Sequence, residues 1–490
     1  MTASPELLLQ TLRERFQLRH FRDGQLETLD AVLDGRHTLL VMPTGSGKSL
    51  CYQLPAVLDN EGVVLVISPL IALMQDQVRA LERRGIAAAA LHSLRSAEEQ
   101  ATILRRMATG LYRLVYVAPE RLRSAAFTQA LPVGRVQMLA VDEAHCISQW
   151  GHDFRPAYLE IHKTWEALGQ PTVLATTATA TPLVQDDILR QLHIEGAARV
   201  VTGFNRPNLF FEVRHAPDED AKLEQLLAAL PAENAGSTIV YAGTKRAAEE
   251  LADIIGEVKG LAAAYYHGGV EPEVRRRVQA RFMQNRVQVL VATNAFGLGV
   301  DKADVRAVIH WDIPGSPEAY YQEAGRAGRD GKPARCLLLY TAADRALQEW
   351  FINNDAPDAD RLARLHEALG RAGVGRDGRR TAGEAELRRR VGLSDIKLRV
   401  GISLLQGAGV LDDQGRDGGD LVFTLAEGVP FEAEAIMARV ERFRAHKRAL
   451  LDEMIRYAET EGCRRRVLLG YFGDPDGAPV VPCCDNCAKG

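Results

Sequence analysis

The run Met42-Pro-Thr-Gly-Ser-Gly-Lys-Ser49 brings two glycines, a lysine and hydroxyls together at a spacing that suits a chain of phosphates. It follows the apolar segment HTLLV and precedes a segment of helical pattern, a junction where backbone amides can cradle an anion. In this reading Thr44, Gly45, Ser46 and Gly47 form the cradle. Lys48 reaches the β- and γ-phosphates, and Ser49 offers its hydroxyl to Mg²⁺. Met42 stands where the strict pattern has its first glycine, so the context must decide. That context is Asp142 and Glu143, which close the apolar segment QMLAV. Asp142 can hold Mg²⁺ directly or through water, and Glu143 can polarise an attacking water. A solvated acidic turn is the plainer reading of this pair alone. Beside the loop at 42–49 it gives way to nucleotide hydrolysis.

A second domain must complete such a site, and Tyr320-Tyr-Gln-Glu-Ala-Gly-Arg-Ala-Gly-Arg329 has the residues to do so. Arg326 and Arg329 lie three apart on one face of a helix or turn. One of them can act as an arginine finger on the γ-phosphate from across a cleft. Two surface arginines would be the bland alternative, against which Gln322 and the two glycines of the pattern count. Next to the acidic pair, Trp150, His152, Phe154, Arg155 and Tyr158 crowd aromatic and cationic groups into one short segment. Exposed aromatics stack on single-stranded bases for about 1–3 kcal/mol each, largely regardless of sequence. A turn packed in the core would use Trp150 as well, but adjacency to Asp142 and Glu143 favours coupling of strand binding to hydrolysis.

The elements that position these groups follow from the apolar pattern. Short apolar runs alternate with amphipathic segments over about 25–205 and again over about 206–345, which implies two doubly wound α/β domains in tandem. The boundary falls near Gly203–Pro207, giving domains at 1–205 and 206–350. Residues 351–432 change character. Two helical stretches broken at Gly392-Leu393-Ser394 precede a Gly- and Asp-rich turn between short strands, the layout of a winged helix. Such a module either binds DNA or serves as a spacer. The last segment, 433–490, reads as helical to Leu469 and then as a cysteine-bearing loop.

Composition bounds the rest. The 490 residues are 46% apolar and 25% charged, as in globular proteins with ample core. No apolar stretch spans a bilayer and the start lacks a secretory layout, so a cytoplasmic protein is expected. A net charge of −4 means that any nucleic-acid surface must be local. Cys51, Cys146 and Cys336 are scattered; Cys463, Cys483, Cys484 and Cys487 gather at the end and suggest metal before disulfide.

Asp142-Glu-Ala-His145 followed directly by Cys146-Ile-Ser-Gln-Trp-Gly-His-Asp-Phe-Arg-Pro156 resembles the RecQ helicases, a branch of helicase superfamily 2. The resemblance runs over about 10–350. Phe21-Arg22-Asp-Gly-Gln25 is similar to the family's adenine-reading motif, and Thr177-Ala-Thr179 to its interdomain coupling motif. Tyr266-His-Gly-Gly269 and the run Ala292–Asp301 match likewise. By resemblance, Arg22 and Gln25 contact adenine, the 146–158 loop senses DNA, and translocation runs 3′ to 5′. Leu18 stands where the family often has an aromatic.

The four C-terminal cysteines resemble the RecQ zinc module, in which one cysteine on a helix joins three on a following loop. Four thiolates suit tetrahedral Zn²⁺, which would staple a loop too small for its own core. Cys483 and Cys484 are adjacent where the family separates them, so both can bind one ion only through a local kink. The winged-helix-like segment also precedes the zinc module here, the reverse of the familiar bacterial order. The reading is therefore an ATP-, Mg²⁺- and Zn²⁺-dependent DNA helicase, acting as a monomer at the nucleoid on single-stranded, tailed or forked DNA, in repair or recombination. An RNA helicase, a translocase that does not unwind, and a junction-binding protein switched by ATP are the alternatives.

Overall fold

The computed structural model describes residues 4–489 apart from 59–61, 123, 132, 152, 231–235, 298–301, 376–377, 418–419, 427 and 475–481. Runs such as Val63–Ile67 are buried along their whole length, which only a sheet covered on both faces allows. The first sheet comprises β1 (Thr38–Val41), β2 (Val63–Ile67), β3 (Ala88–Leu91), β4 (Leu114–Val117), β5 (Val136–Val141), β6 (Thr172–Thr177) and β7 (Ala198–Val201). Their order is β3-β4-β2-β5-β6-β1-β7, with parallel pairings. Alternation along β1 feeds two cores: Leu39 and Val41 enter one, Leu40 the other.

The second sheet comprises β8 (Leu209–His215), β9 (Ser237–Tyr241), β10 (Ala263–Tyr266), β11 (Val289–Ala292), β12 (Val305–His310) and β13 (Ala334–Tyr340). Its order is β10-β11-β9-β12-β13-β8, again parallel. These are two RecA-like sheets in tandem. The apolar pattern did not mark β3, β7 or β8. β3 is Ala-Ala-Ala-Leu, which lacks the β-branched residues that announce a strand, and only burial between neighbours makes it one.

Beyond the second sheet the Asp344–Asn354 helix leads into a separate small core. There the Glu384–Val391 and Asp395–Gly407 helices meet at Gly392, whose φ of 71° closes the first helix. Ser394 opens the second by accepting from Lys397 N at 3.3 Å. A hairpin of β15 (Leu411–Asp417) and β16 (Asp420–Leu425) follows, and β14 (Arg380–Gly383) pairs with β16 to complete the winged helix. The chain then returns along the Ala433–Glu459 helix. This helix packs on the Asp344–Asn354 helix: Arg444 and Lys447 reach Asp355 at 3.3 and 2.9 Å, and Arg345 pairs with Asp452 at 2.9 Å. The winged helix is thus inserted between two helices that pack on each other.

One helical reading needs correction. The helix expected to run to Leu469 stops at Glu459 and a new one begins at Arg464. Arg464 explains the break: its Nη1 donates to Tyr457 O and Ala458 O, satisfying carbonyls at the end of the first helix. Cys463 becomes the N-cap of the second. No helix among the described residues is long and apolar enough to cross a membrane.

Candidate functional site

β1 delivers the phosphate loop. Met42 is buried and its backbone N donates to Thr177 O at 3.1 Å, so the first position of the motif is a core residue here. Gly45 and Gly47 take φ of +82° and +91°, a region that L side chains avoid. A Cβ on Gly47 would also come within 2.8 Å of Gln25 Nε2. Lys48 Nζ donates to Met42 O at 3.0 Å. Burial pushes its ammonium pKa down, and the charges of Glu143 and Asp142 oppose that shift. The helix behind the loop is short, Leu50–Gln53.

Arg22 and Gln25 are brought to the same loop. Arg22 Nη1 donates to Gly45 O at 2.5 Å, and Gln25 Nε2 to Gly47 O at 3.0 Å. Gln25 Oε1 in turn accepts from Arg22 N at 2.9 Å.

Asp142 ends β5 between two neighbours of the sheet. Its Oδ1 accepts from Thr176 Oγ1 at 3.1 Å and its Oδ2 from Ser68 Oγ at 3.3 Å, which fixes the carboxylate toward Lys48. Burial raises its pKa, opposed by Lys48. Glu143 follows in left-handed backbone, φ 48°, a conformation costly outside glycine and often kept at working sites. Burial and the adjacent Asp142 charge push its carboxyl up to about 7. His145 Nδ1 lies 2.9 Å from Thr177 Oγ1 and 3.4 Å from Glu143 Oε2, tying the acidic pair to the end of β6. The donor set of Asp142 and Ser49, hard oxygens with a lysine beside them, suits Mg²⁺ bound together with phosphate.

The second sheet closes the cleft. A Cβ on Gly45 would lie 3.5 Å from Arg329 Cδ, so this arginine rests against the phosphate loop. Arg326 is buried, and its charge bears on Glu143. Its Nε has no hydrogen-bond partner among the described residues, as suits a donor kept for an anion. Gln322 is half-buried on the Pro317–Ala324 helix, about one turn before Arg326.

The aromatic segment divides. Trp150 is 45% exposed and Phe154 and Arg155 are half-buried, but Tyr158 is wholly buried and cannot stack on a base. Its hydroxyl donates to Asp142 O at 2.8 Å, so its place is behind the carboxylate rather than on a strand. Arg155 pairs with Asp153 at 2.9 Å. His152 lies outside the described residues, as do 298–301 of the Ala292–Asp301 run. Sequence reasoning missed two partners of this loop on the Ala433–Glu459 helix. His446 Nε2 donates to Trp150 O at 3.0 Å with its ring edge-on to the indole, and Phe443 meets Phe154. The i, i+3 spacing of Phe443 and His446 on one helix face was the available signal.

The four terminal cysteines converge. Their sulfurs lie within 4.8 Å of one another, with Cys463 Sγ 3.5 Å from Cys483 Sγ. A tetrahedral ion with Zn–S bonds of about 2.3 Å needs edges of about 3.8 Å, so the set fits Zn²⁺. Adjacent Cys483 and Cys484 are both buried where a short bridge to the edge of β8, with Phe211 N donating to Cys483 O at 3.3 Å, gives way to the Asp485–Lys489 helix.

Family models agree with this layout. The DEAD/DEAH box helicase model matches residues 22–187, the helicase conserved C-terminal domain 221–331, and the RecQ zinc-binding model 430–488. Bacillus subtilis RecS, named a probable ATP-dependent DNA helicase, is 37% identical over 98% of this chain and 92% of its own length. The ATP-dependent DNA helicase RecQ of the same organism is 46% identical over 70% of this chain, which spans 57% of that protein. Among solved structures, the Mycobacterium smegmatis helicase Lhr bound to ssDNA and AMP-PNP superposes with a TM-score of 0.56 at 23% identity, over 86% of this chain and 60% of that one. That likeness is one of fold. With a relative matched over nearly its whole length, four converging cysteines inside the region matched by the RecQ zinc-binding model, and two RecA-like sheets meeting at a phosphate loop, the chain belongs to the RecQ family of ATP-dependent DNA helicases.

Proposed function

We propose that this chain hydrolyses ATP in the cleft between its two sheets and uses the closing and reopening of that cleft to move 3′ to 5′ along one DNA strand, parting the duplex ahead. The observation that carries the reading is Arg329 of the second sheet lying against Gly45 of the first. The loop amides of Thr44, Gly45, Ser46 and Gly47 hold the phosphates and Lys48 neutralises them. Ser49 and Asp142 would hold Mg²⁺, which when bound would offset the negative charge of the phosphates. Glu143 takes the proton of the attacking water, a role helped by a carboxyl pKa near the working pH. Arg326 and Arg329 meet the charge that develops on the transferred phosphate, on a segment begun by Gln322. Arg22 and Gln25 read adenine beside the loop.

Trp150, Phe154 and Arg155 take the single strand, and the winged helix and zinc module extend the surface toward duplex. In domain terms, 1–205 and 206–350 are the motor, 351–432 the winged helix and 433–490 the zinc module. A DNA motor of this kind works in the cytoplasm at the nucleoid, as a monomer, in repair or recombination. Parting each base-pair step costs on the order of 1.4 kcal/mol, so progress depends on trapping opened steps by directional movement.

Strand displacement tests the reading. A 3′-tailed duplex is expected to be unwound only with ATP and Mg²⁺, and a 5′-tailed one far more slowly. ATP turnover stimulated by single strands with no displaced strand would leave a translocase instead. Trp150→Ala is expected to weaken single-strand affinity by roughly 10- to 100-fold, the loss of one stacked base, measured by fluorescence anisotropy. Unchanged affinity would remove Trp150 from the strand path.

A further inference from the structure

The turn that carries Arg326 and Arg329 follows the Pro317–Ala324 helix, where the last carbonyls of a helix lack intrahelical donors. In this protein a distant arginine supplies them. Arg206 Nη1 donates to Gly325 O at 3.2 Å, and its Nη2 donates to Ala327 O and Gly328 O, both at 3.0 Å. These three carbonyls bracket Arg326 and stop one residue short of Arg329. A planar guanidinium can serve three acceptors at fixed angles, which a lysine cannot. Asn208 adds a second hold, Nδ2 donating to Gly328 O at 2.8 Å and to Lys332 O at 2.9 Å.

Arg206 is itself gripped from behind. It lies in the stretch that joins the two sheets, and Arg465 of the zinc module, 2% exposed, runs into that stretch. Arg465 Nη1 donates to Arg206 O at 2.6 Å and to Asn205 Oδ1 at 2.9 Å, Nη2 donates to Leu209 O, and the guanidinium lies over Phe211. Two further contacts hold the same stretch. Asp474 Oδ2 accepts from Phe204 N at 2.8 Å, and the Phe472 ring stacks on Phe204 at 4.6 Å. Arg465 follows the zinc-module residue Cys463 by two positions.

We infer that Arg206 is a positioning residue for ATP hydrolysis: it sets the turn bearing Arg326 and Arg329 against the phosphate loop, and Arg465 sets Arg206 from the zinc module. The inference rests on the proposed role of Arg326 and Arg329. It makes the zinc module part of the hydrolytic apparatus at a distance, through one linker.

Arg206→Ala and the milder Arg206→Lys test it in the full chain, with Arg329→Ala measured in parallel. The readouts are single-strand-stimulated ATP turnover, KM for ATP, single-strand affinity and melting temperature. Arg206→Lys is expected to lower kcat by about 10- to 100-fold, the usual cost of a small misplacement, with KM, strand affinity and melting temperature near parental. Arg465→Lys is expected to show the same split. Parental turnover in Arg206→Lys while Arg329→Ala is inactive would overturn the inference. A parallel fall of kcat, strand affinity and melting temperature would overturn it too, since that is the mark of damaged packing. Parental turnover in Arg465→Lys would cut the link to the zinc module. Full activity in Arg329→Ala would instead bring down the underlying reading of the site.

Discussion

Replacing Arg329 with alanine is expected to lower ATP turnover by about a thousandfold or more, the scale on which an arginine finger acts. The expectation follows from where the residue sits. Its side chain comes from the second sheet and lies on Gly45, near a half-buried lysine flanked by carboxylates. Negative charge that develops on a transferred phosphate there meets Lys48 from the first sheet and Arg326 and Arg329 from the second. Removing Arg329 leaves Lys48, Asp142 and Glu143 in place, since their contacts lie within the first sheet. Single-strand affinity should therefore stay close to parental while single-turnover hydrolysis collapses. Lysine at this position should restore little, because it lacks the planar fork of donors. Turnover within about tenfold of parental would mean that the cleft does not close on phosphate as proposed.

Losing the zinc site is expected to cost more than activity. Apparent binding free energies of structural zinc in small modules run to about 10–16 kcal/mol, as large as the whole stability of an ordinary domain at about 5–15 kcal/mol. Cys484→Ser removes one of four converging sulfurs and disturbs the stretch that bridges to β8 at Phe211. The expected result is loss of bound zinc, a melting transition several degrees lower or split in two, and aggregation when zinc is chelated. Colorimetric release of metal and thermal melting followed by circular dichroism check it. A variant that keeps the parental melting profile without zinc would refute a structural role for the ion.

Much of the nucleotide site is legible in the sequence because its chemistry is local. A loop of eight consecutive residues, two adjacent carboxylates and two arginines three apart each carry their meaning within one segment. What was not legible is long-range. Nothing in the run Phe204-Asn-Arg-Pro207 says that Arg206 will cap carbonyls over a hundred residues away, or that Arg465 will lie beneath it. Tyr158 was misplaced for the opposite reason: nearness in sequence to Trp150 and Phe154 suggested a common face, whereas its hydroxyl had a partner in the core at Asp142 O. The adjacent cysteines raised a similar difficulty. Neighbouring side chains diverge unless the backbone turns, and here it turns from a bridge on β8 into the Asp485–Lys489 helix, neither of which the apolar pattern announced. β3 shows the limit of composition, since three alanines and a leucine become a strand only once neighbours are in place.

The packing of the Asp344–Asn354 helix on the returning Ala433–Glu459 helix brings the entry and exit of the winged helix side by side, with Arg444 and Lys447 of the exit fastened to Asp355 at the entry. A module hung from one closed neck can be exchanged, resized or removed without rethreading the motor beneath it. An attachment of this form leaves the appended module free to vary while the motor beneath it stays the same.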